Sequence, residues 1–182
     1  TTALSQEYDE EAARAHVHGF HSYPARLHSA LARRLIELIA PPKGTVIDPF
    51  CGSGTVLVEA RLSGRRALGA DLNPIGVMLS RLKTRGASAA ELDQLREAAA
   101  QIRQHADDRR LARAGATRGY PPEDTSQYEP HVLLELDSLR DGIKKLPAGF
   151  VNDALRLVLS SILTKVSRRQ GDSGEVDLAP RR

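Results

Sequence analysis

Thr45-Val46-Ile47-Asp48-Pro49-Phe50-Cys51-Gly52-Ser53-Gly54-Thr55 is the stretch on which the fold turns. Its first four residues are short, β-branched and apolar up to an acid, which is the composition of a buried strand. Gly52 and Gly54 then permit a sharp turn, and a helix is expected from Thr55 to Leu62, with Val56, Leu57 and Ala60 free to pack and Gly64 as its cap. A strand that ends in such a turn brings main-chain N–H groups and a carboxylate close to a ligand. Glycines at 52 and 54 would leave room where a Cβ would collide with that ligand. The stretch lacks the third glycine of a dinucleotide fingerprint and the lysine of a phosphate-binding loop.

Working outward, Arg66-Ala67-Leu68-Gly69-Ala70 is a second strand candidate ending at Asp71, and Pro74 opens a helix to about Lys83. The order β-α-β-α makes the two strands parallel. Asp71 follows the glycine turn by about twenty residues, where an acid can accept both hydroxyls of a ribose. Upstream, Leu27, Leu31, Leu35 and Ile39 recur at i, i+4, which predicts one apolar helix face, stopped by Pro41-Pro42. Downstream, Ser88 to Ala114 reads as a long, mostly exposed helix with Leu92, Leu95 and Ile102 on one side and a capping box of Ser88 and Glu91. Gly115 to Pro130 reads as loop, and His131–Lys145 and Val151–Ser167 as helices.

The expected class is therefore α/β, with an incomplete parallel sheet and a helical C-terminal part. Residues 1–19 form a flexible lead-in, 20–86 the α/β unit, 87–169 the helical region and 170–182 a tail. Two strands cannot bury both faces of a parallel sheet. Further strands are expected from a second copy, another chain or a longer polypeptide, and the start at Thr1 suggests an excised segment.

Composition narrows the function classes. With 41% hydrophobic residues over 182, a core is possible but not a rich one. Aromatics make up 4% and Trp is absent, so extended base-stacking platforms are excluded. A net charge of +3 permits nucleic acid without demanding it. The pairs Arg33-Arg34, Arg65-Arg66, Arg109-Arg110 and Arg168-Arg169 read first as solvated faces, so nucleic-acid affinity is expected to be weak and electrostatic. The lone Cys51 rules out an internal disulfide, and no grouping of His, Cys, Asp and Glu has metal-ligand spacing. The absence of a membrane-length apolar run or a signal pattern favours the cytoplasm.

Asp48-Pro49-Phe50-Cys51-Gly52-Ser53-Gly54-Thr55 resembles the cofactor motif of the DNA amino-methyltransferases, which form N6-methyladenine or N4-methylcytosine. A similar Asp-Pro-x-Cys-Gly-x-Gly element occurs in tRNA guanine-N2 methyltransferases. The resemblance implies a Rossmann-like methyltransferase fold and S-adenosyl-L-methionine as cofactor. Asp48, Phe50, Cys51, Gly52, Ser53, Gly54 and Thr55 would wrap its methionine part. Gly69-Ala70-Asp71-Leu72-Asn73-Pro74 is similar to the Asp-x-Asn-Pro element of such enzymes, which puts Asp71 on the ribose, Leu72 on the adenine and Asn73 in the same site. Phe20-His21-Ser22-Tyr23-Pro24-Ala25-Arg26-Leu27 resembles the element preceding the cofactor loop in permuted members, with Tyr23 and Arg26 as contacts.

These enzymes carry an Asp/Asn/Ser-Pro-Pro-Tyr/Phe motif that grips the target amino group and stacks on a flipped base. It is not found here. Tyr120-Pro121-Pro122-Glu123 has the letters in the wrong order, so no catalytic residue is assigned. Leu157 to Asp172 resembles a region that lies between the cofactor half and that motif in a bacterial DNA-methylase-like group. The implied function is methyl transfer to a DNA base amino group, with DNA as partner and RNA as the lesser expectation. A second polypeptide or a missing C-terminal half would carry the catalytic motif, leaving this chain inactive alone. The alternatives are an RNA guanine-N2 methyltransferase and a non-catalytic cofactor-binding subunit.

Overall fold

The computed structural model describes residues 16–24 and 26–168. The lead-in before residue 16 and the tail from 170 lie outside the described residues. The chain divides into two compact units, Thr1–Ala87 and Ser88–Arg182.

In the first unit a short 3-10 turn, His18–Phe20, precedes helix α1, Ser29–Ile39. Strand β1, Thr45–Asp48, leads through the glycine turn into α2, Thr55–Leu62, and then β2, Arg66–Gly69, is followed by α3, Pro74–Thr84. The strands pair in parallel, with Thr45 opposite Arg66 and Ile47 opposite Leu68. Arg66 N to Gly44 O and Cys51 N to Ala70 O, both 2.9 Å, continue the ladder beyond its ends. Helix α2 packs on both strands and on α1 and α3. Val46 and Ala67 are half-buried, whereas Ile47 and Leu68 remain 70% and 59% exposed. Strand β1 is therefore not the buried strand its composition predicts: with two strands the sheet has one covered face.

Helix α1 departs from the expected face. Ser29, Ala32 and Ile36 are buried, while Leu27, Leu35 and Ile39 are exposed. The i, i+4 leucine pattern marks an apolar stripe, but the side that α1 buries carries Ala32 and Ile36; α1 packs on α2, where Ala60 is likewise wholly buried. Arg65 holds the end of α1 by donating to Ala40 O from Nε at 3.1 Å and Nη2 at 2.9 Å. That satisfies a carbonyl left over where prolines stop the helix.

The second unit holds α4, Ala89–Leu111; α5, Pro122–Gln127; α6, Pro130–Lys144; and α7, Phe150–Val166. The Ser88–Glu91 capping box is formed at both hydrogen bonds. Ala98, Ile102, Ile143 and Leu155 make the core, with Leu95 packed against it. Leu92 is 39% exposed, so alanine at 98 and not leucine at 92 continues the buried stripe. The expected loop over 115–130 contains α5, because Pro121 and Pro122 preset helical φ and Glu123 and Asp124 suit a helix N-terminus. Asp137 is the polar centre of this unit: 1% exposed, it accepts from Thr117 N (2.5 Å), Thr117 Oγ1 (2.7 Å), Tyr120 Oη (2.5 Å) and Arg140 Nη2 (3.0 Å). Among the described residues no helix is long and apolar enough to cross a membrane.

Candidate cofactor-binding site

The site is built where β1 and β2 end side by side. Gly52 and Gly54 adopt φ of +47° and +84°, and Gly54 N donates to Cys51 O at 2.7 Å to close the turn. Asp71, at the end of β2, reaches across to this turn: its Oδ2 accepts from Gly52 N at 2.7 Å and its Oδ1 from Asn73 N at 2.8 Å. Asn73 caps α3 through Ile75 N at 3.0 Å, and its Nδ2 donates to Tyr23 Oη at 3.3 Å. Three segments separated in sequence thus meet. Two main-chain N–H donors stabilise the Asp71 carboxylate, first that of Asn73 and then that of Gly52, and they hold its pKa below the usual value. Each Asp71 oxygen keeps lone-pair capacity for a further donor.

A small cleft of about 70 Å³ opens beside the turn, lined in part by Tyr23, Arg26, Asp48, Phe50, Ser53 and Thr55. Cys51 and Gly52 border it as well. Cys51 is buried, and burial pushes its thiol up, so it serves as a neutral packing group under the turn. Ser53 is 3% exposed and its Oγ has no hydrogen-bond partner among the described residues. Phe50 and Leu72 project into solvent, 84% and 99% exposed, on either side of Asp71 in sequence.

The two glycines act differently from the sequence expectation. A Cβ on Gly54 would sit 2.8 Å from both Cα and Cβ of Ser80, and one on Gly52 would sit 3.1 Å from the Tyr23 ring. Both are needed so that the turn can lie against α3 and Tyr23, whatever occupies the cleft; Gly54 does not line it. The matching residue on α3 is Gly76, whose Cβ would meet Gly52 O and Tyr23 Oη at 3.0 Å. Gly76 and Ser80 were legible only as an i, i+4 pair of small residues after the second strand, a spacing that leaves a flat stripe on a helix.

Arg26 also joins a polar cluster with no motif to announce it. Arg26 donates to His18 O, His18 Nε2 lies 2.7 Å from Glu59 Oε1, and Arg33 Nε donates to Glu59 Oε2 at 2.9 Å. Burial lowers the His18 pKa in spite of Glu59. Lys83 is buried too; burial first and Arg26 second bring its amine down to about 8. His21 is also buried, with Nδ1 3.0 Å from Ser22 O.

One arginine of each basic pair is engaged by a group of the protein itself. Arg33 serves Glu59, Arg65 serves Ala40, Arg109 donates to Ser138 Oγ and Gly115 O, and Arg168 Nε donates to Glu129. Tyr120, with Arg118 stacked 4.4 Å from its ring centroid, is a buttress of Asp137.

Residues 3–77 match the DNA methylase family model, a range that contains every cofactor-binding candidate named above. Over this range the chain resembles DNA methylases. The chain is similar to the type II methyltransferase M.MvaI of Kocuria varians, 43% identical over 70 residues that cover 37% of this chain and 15% of the relative. It is also similar to a tRNA (guanine(10)-N2)-dimethyltransferase of Methanothermobacter thermautotrophicus, 39% identical over 71 residues, 38% of this chain and 20% of that protein. A third relative, the type II methyltransferase M.ScaI of Streptomyces caespitosus, is 39% identical over 51 residues, 28% of the chain and 17% of the relative. The chain thus spans a fifth or less of the length of these relatives. No solved structure matches it significantly.

Proposed function

We propose that this chain binds S-adenosyl-L-methionine in a Rossmann-like methyltransferase unit and contributes to methyl transfer onto an exocyclic amino group of a DNA base, adenine N6 or cytosine N4. The observation that carries the reading is the Asp71 bridge. One carboxylate holds the glycine turn and the N-terminus of α3 together while facing solvent with spare acceptor capacity. A ribose diol offers two O–H donors to such a group.

The remaining residues fit the same molecule. Asp48 and Asp71 put two carboxylates beside the turn against one lining cation, Arg26, which suits a sulfonium cofactor with its own ammonium group. Ser53 Oγ is a buried donor and acceptor in want of a partner. Phe50 and Leu72 expose apolar area of the kind an adenine ring covers. The cleft itself is smaller than the roughly 300 Å³ at which pockets for drug-sized ligands begin, so it would hold only one end of such a cofactor. Bound there, the cofactor supplies a methyl group made electrophilic by sulfonium; Asp71, Tyr23 and the turn position it.

The Pro-Pro-Tyr chemistry that aims the amino nitrogen would come from another polypeptide or chain segment. The exposed Ile47–Leu68 sheet face supports such a completion. Weak, salt-sensitive nucleic-acid affinity and a cytoplasmic setting belong to this proposal. The guanine-N2 reading on RNA stands second, favoured by the tRNA-modifying relatives.

Isothermal titration of the chain with S-adenosylmethionine tests the reading. Binding is expected, and Asp71→Ala should weaken it by about tenfold or more, the scale of a lost charge-assisted hydrogen bond. A folded chain that takes up no cofactor, or an Asp71→Ala variant with unchanged affinity, would refute it.

A further inference from the structure

Helices α6 and α7 of the second unit enclose a groove of about 480 Å³, within the roughly 300–1,000 Å³ range of built ligand sites. Its lining separates by chemistry. Ile143, Leu159 and Leu163 provide an apolar floor, Arg140, Lys144 and Arg156 provide cations, and no carboxylate lines it. Arg140 and Lys144 stand one helical turn apart on α6, and Arg156, Leu159 and Leu163 share one side of α7 at i, i+3, i+7. Arg140 is held by Asp137 and by Thr117 Oγ1 at 2.9 Å, which partly neutralises it. Lys144 and Arg156 have no ion-pair partner among the described residues.

We propose that this groove receives an amphipathic helix of a partner protein, with its apolar residues on Ile143, Leu159 and Leu163 and its acidic flank against Lys144 and Arg156. A helix with apolar side chains at i, i+3, i+4 and i+7 presents such a strip, and carboxylates beside the strip meet the two free cations. Charge complementarity favours this occupant. A phosphodiester backbone has no use for an apolar floor, and an unstacked base would need an aromatic surface, which the lining lacks. Every residue of the groove belongs to the second unit, and the proposal does not rest on cofactor binding at Asp71.

The test uses the full chain and a fluorescein-labelled peptide of about 18 residues, five helical turns, with leucine at i, i+3, i+4, i+7 and glutamate on both flanks. Fluorescence anisotropy should show saturable binding in the micromolar range. Lys144→Glu and Arg156→Glu should each weaken it by about tenfold, as loss of an attractive pair and gain of a repulsive one predicts. The double variant should then gain affinity for a peptide with lysine in place of glutamate, a rescue that a merely unfolded variant could not show. Three results would overturn the proposal: no saturable peptide binding by the wild-type chain, binding indifferent to both charge reversals, or failure of the charge-swapped pair. So would an oligonucleotide that binds at this groove, losing affinity through the same reversals while the peptide does not bind.

Discussion

Substituting Gly54 by alanine should cost the first unit much more stability than the same change at Gly64, and the difference measures how closely the turn lies on α3. Both glycines are left-handed, at φ of +84° and +73°. An alanine forced into that region costs roughly 1–2 kcal/mol, and the smaller entropy of its unfolded chain returns about 0.4–1 kcal/mol, equally at both sites. The surroundings differ. At Gly64 the new methyl meets nothing within 4 Å, whereas at Gly54 it meets Cα and Cβ of Ser80 at 2.8 Å. Ser80 Cα is backbone and cannot rotate away, so overpacking adds about 1–3 kcal/mol at Gly54 alone. The expected total is about 1 kcal/mol at Gly64 and about 2–4 kcal/mol at Gly54. Urea-dependent hydrogen exchange at amides of α2 and α3 reads this unit without interference from the other. Ser80→Gly should return only part of the Gly54→Ala loss, because Cα remains in place. Equal losses at the two glycines would show that the turn does not rest on α3. A Gly54→Ala loss seen only with cofactor present would restore the original expectation that this glycine makes room for a ligand.

Two further outcomes are expected. Burial raises the Asp137 carboxyl pKa, but hydrogen bonds from Tyr120, Thr117 and Arg140 outweigh it and bring the pKa down to about 2. A depressed folded-state pKa stabilises above the unfolded value near 4 and is lost as pH falls toward 2. The second unit should therefore lose about 2 kcal/mol across that window, and Asp137→Asn should abolish this pH dependence; urea melts from pH 5 to pH 2, followed by exchange in α4 and α6, check both. Incubation of the chain with tritiated S-adenosylmethionine and mixed DNA should give no methyl transfer until a polypeptide carrying the Pro-Pro-Tyr motif is added, and robust transfer by the chain alone would disprove the division of labour.

Much of the local structure was legible from residue order. The β-branched run 45–47, the glycine turn, helix 55–62 and the Asp71 strand end follow from steric rules that act over a few residues. The capping box at Ser88 and Glu91 is equally local. The meeting of Tyr23 with Asn73 was implied only by family resemblance, since a contact across fifty positions has no local signature.

Tertiary packing decided what local pattern could not. Leu27, Leu35 and Ile39 follow the i, i+4 pattern that leads into and along α1, yet Ala32 and Ile36 are buried, because burial depends on which face a neighbouring element can approach. The glycines at 52 and 54 announce a missing Cβ but not the atoms that need the space, which prove to be Tyr23 and Ser80. His18, Glu59 and Lys83 have no spacing to mark them. The pairing of His18 with Glu59 and the lowered pKa values of His18 and Lys83 exist only because folding removes these groups from water, where charge must be matched or suppressed. The sequence by itself therefore determined the order of the two strands and the longer helices, and where the cofactor candidates stand along the chain; the short helix Pro122–Gln127 escaped it. The structure alone decided which faces are buried and which polar groups must find partners, since both are properties of surfaces that meet only after the chain has folded.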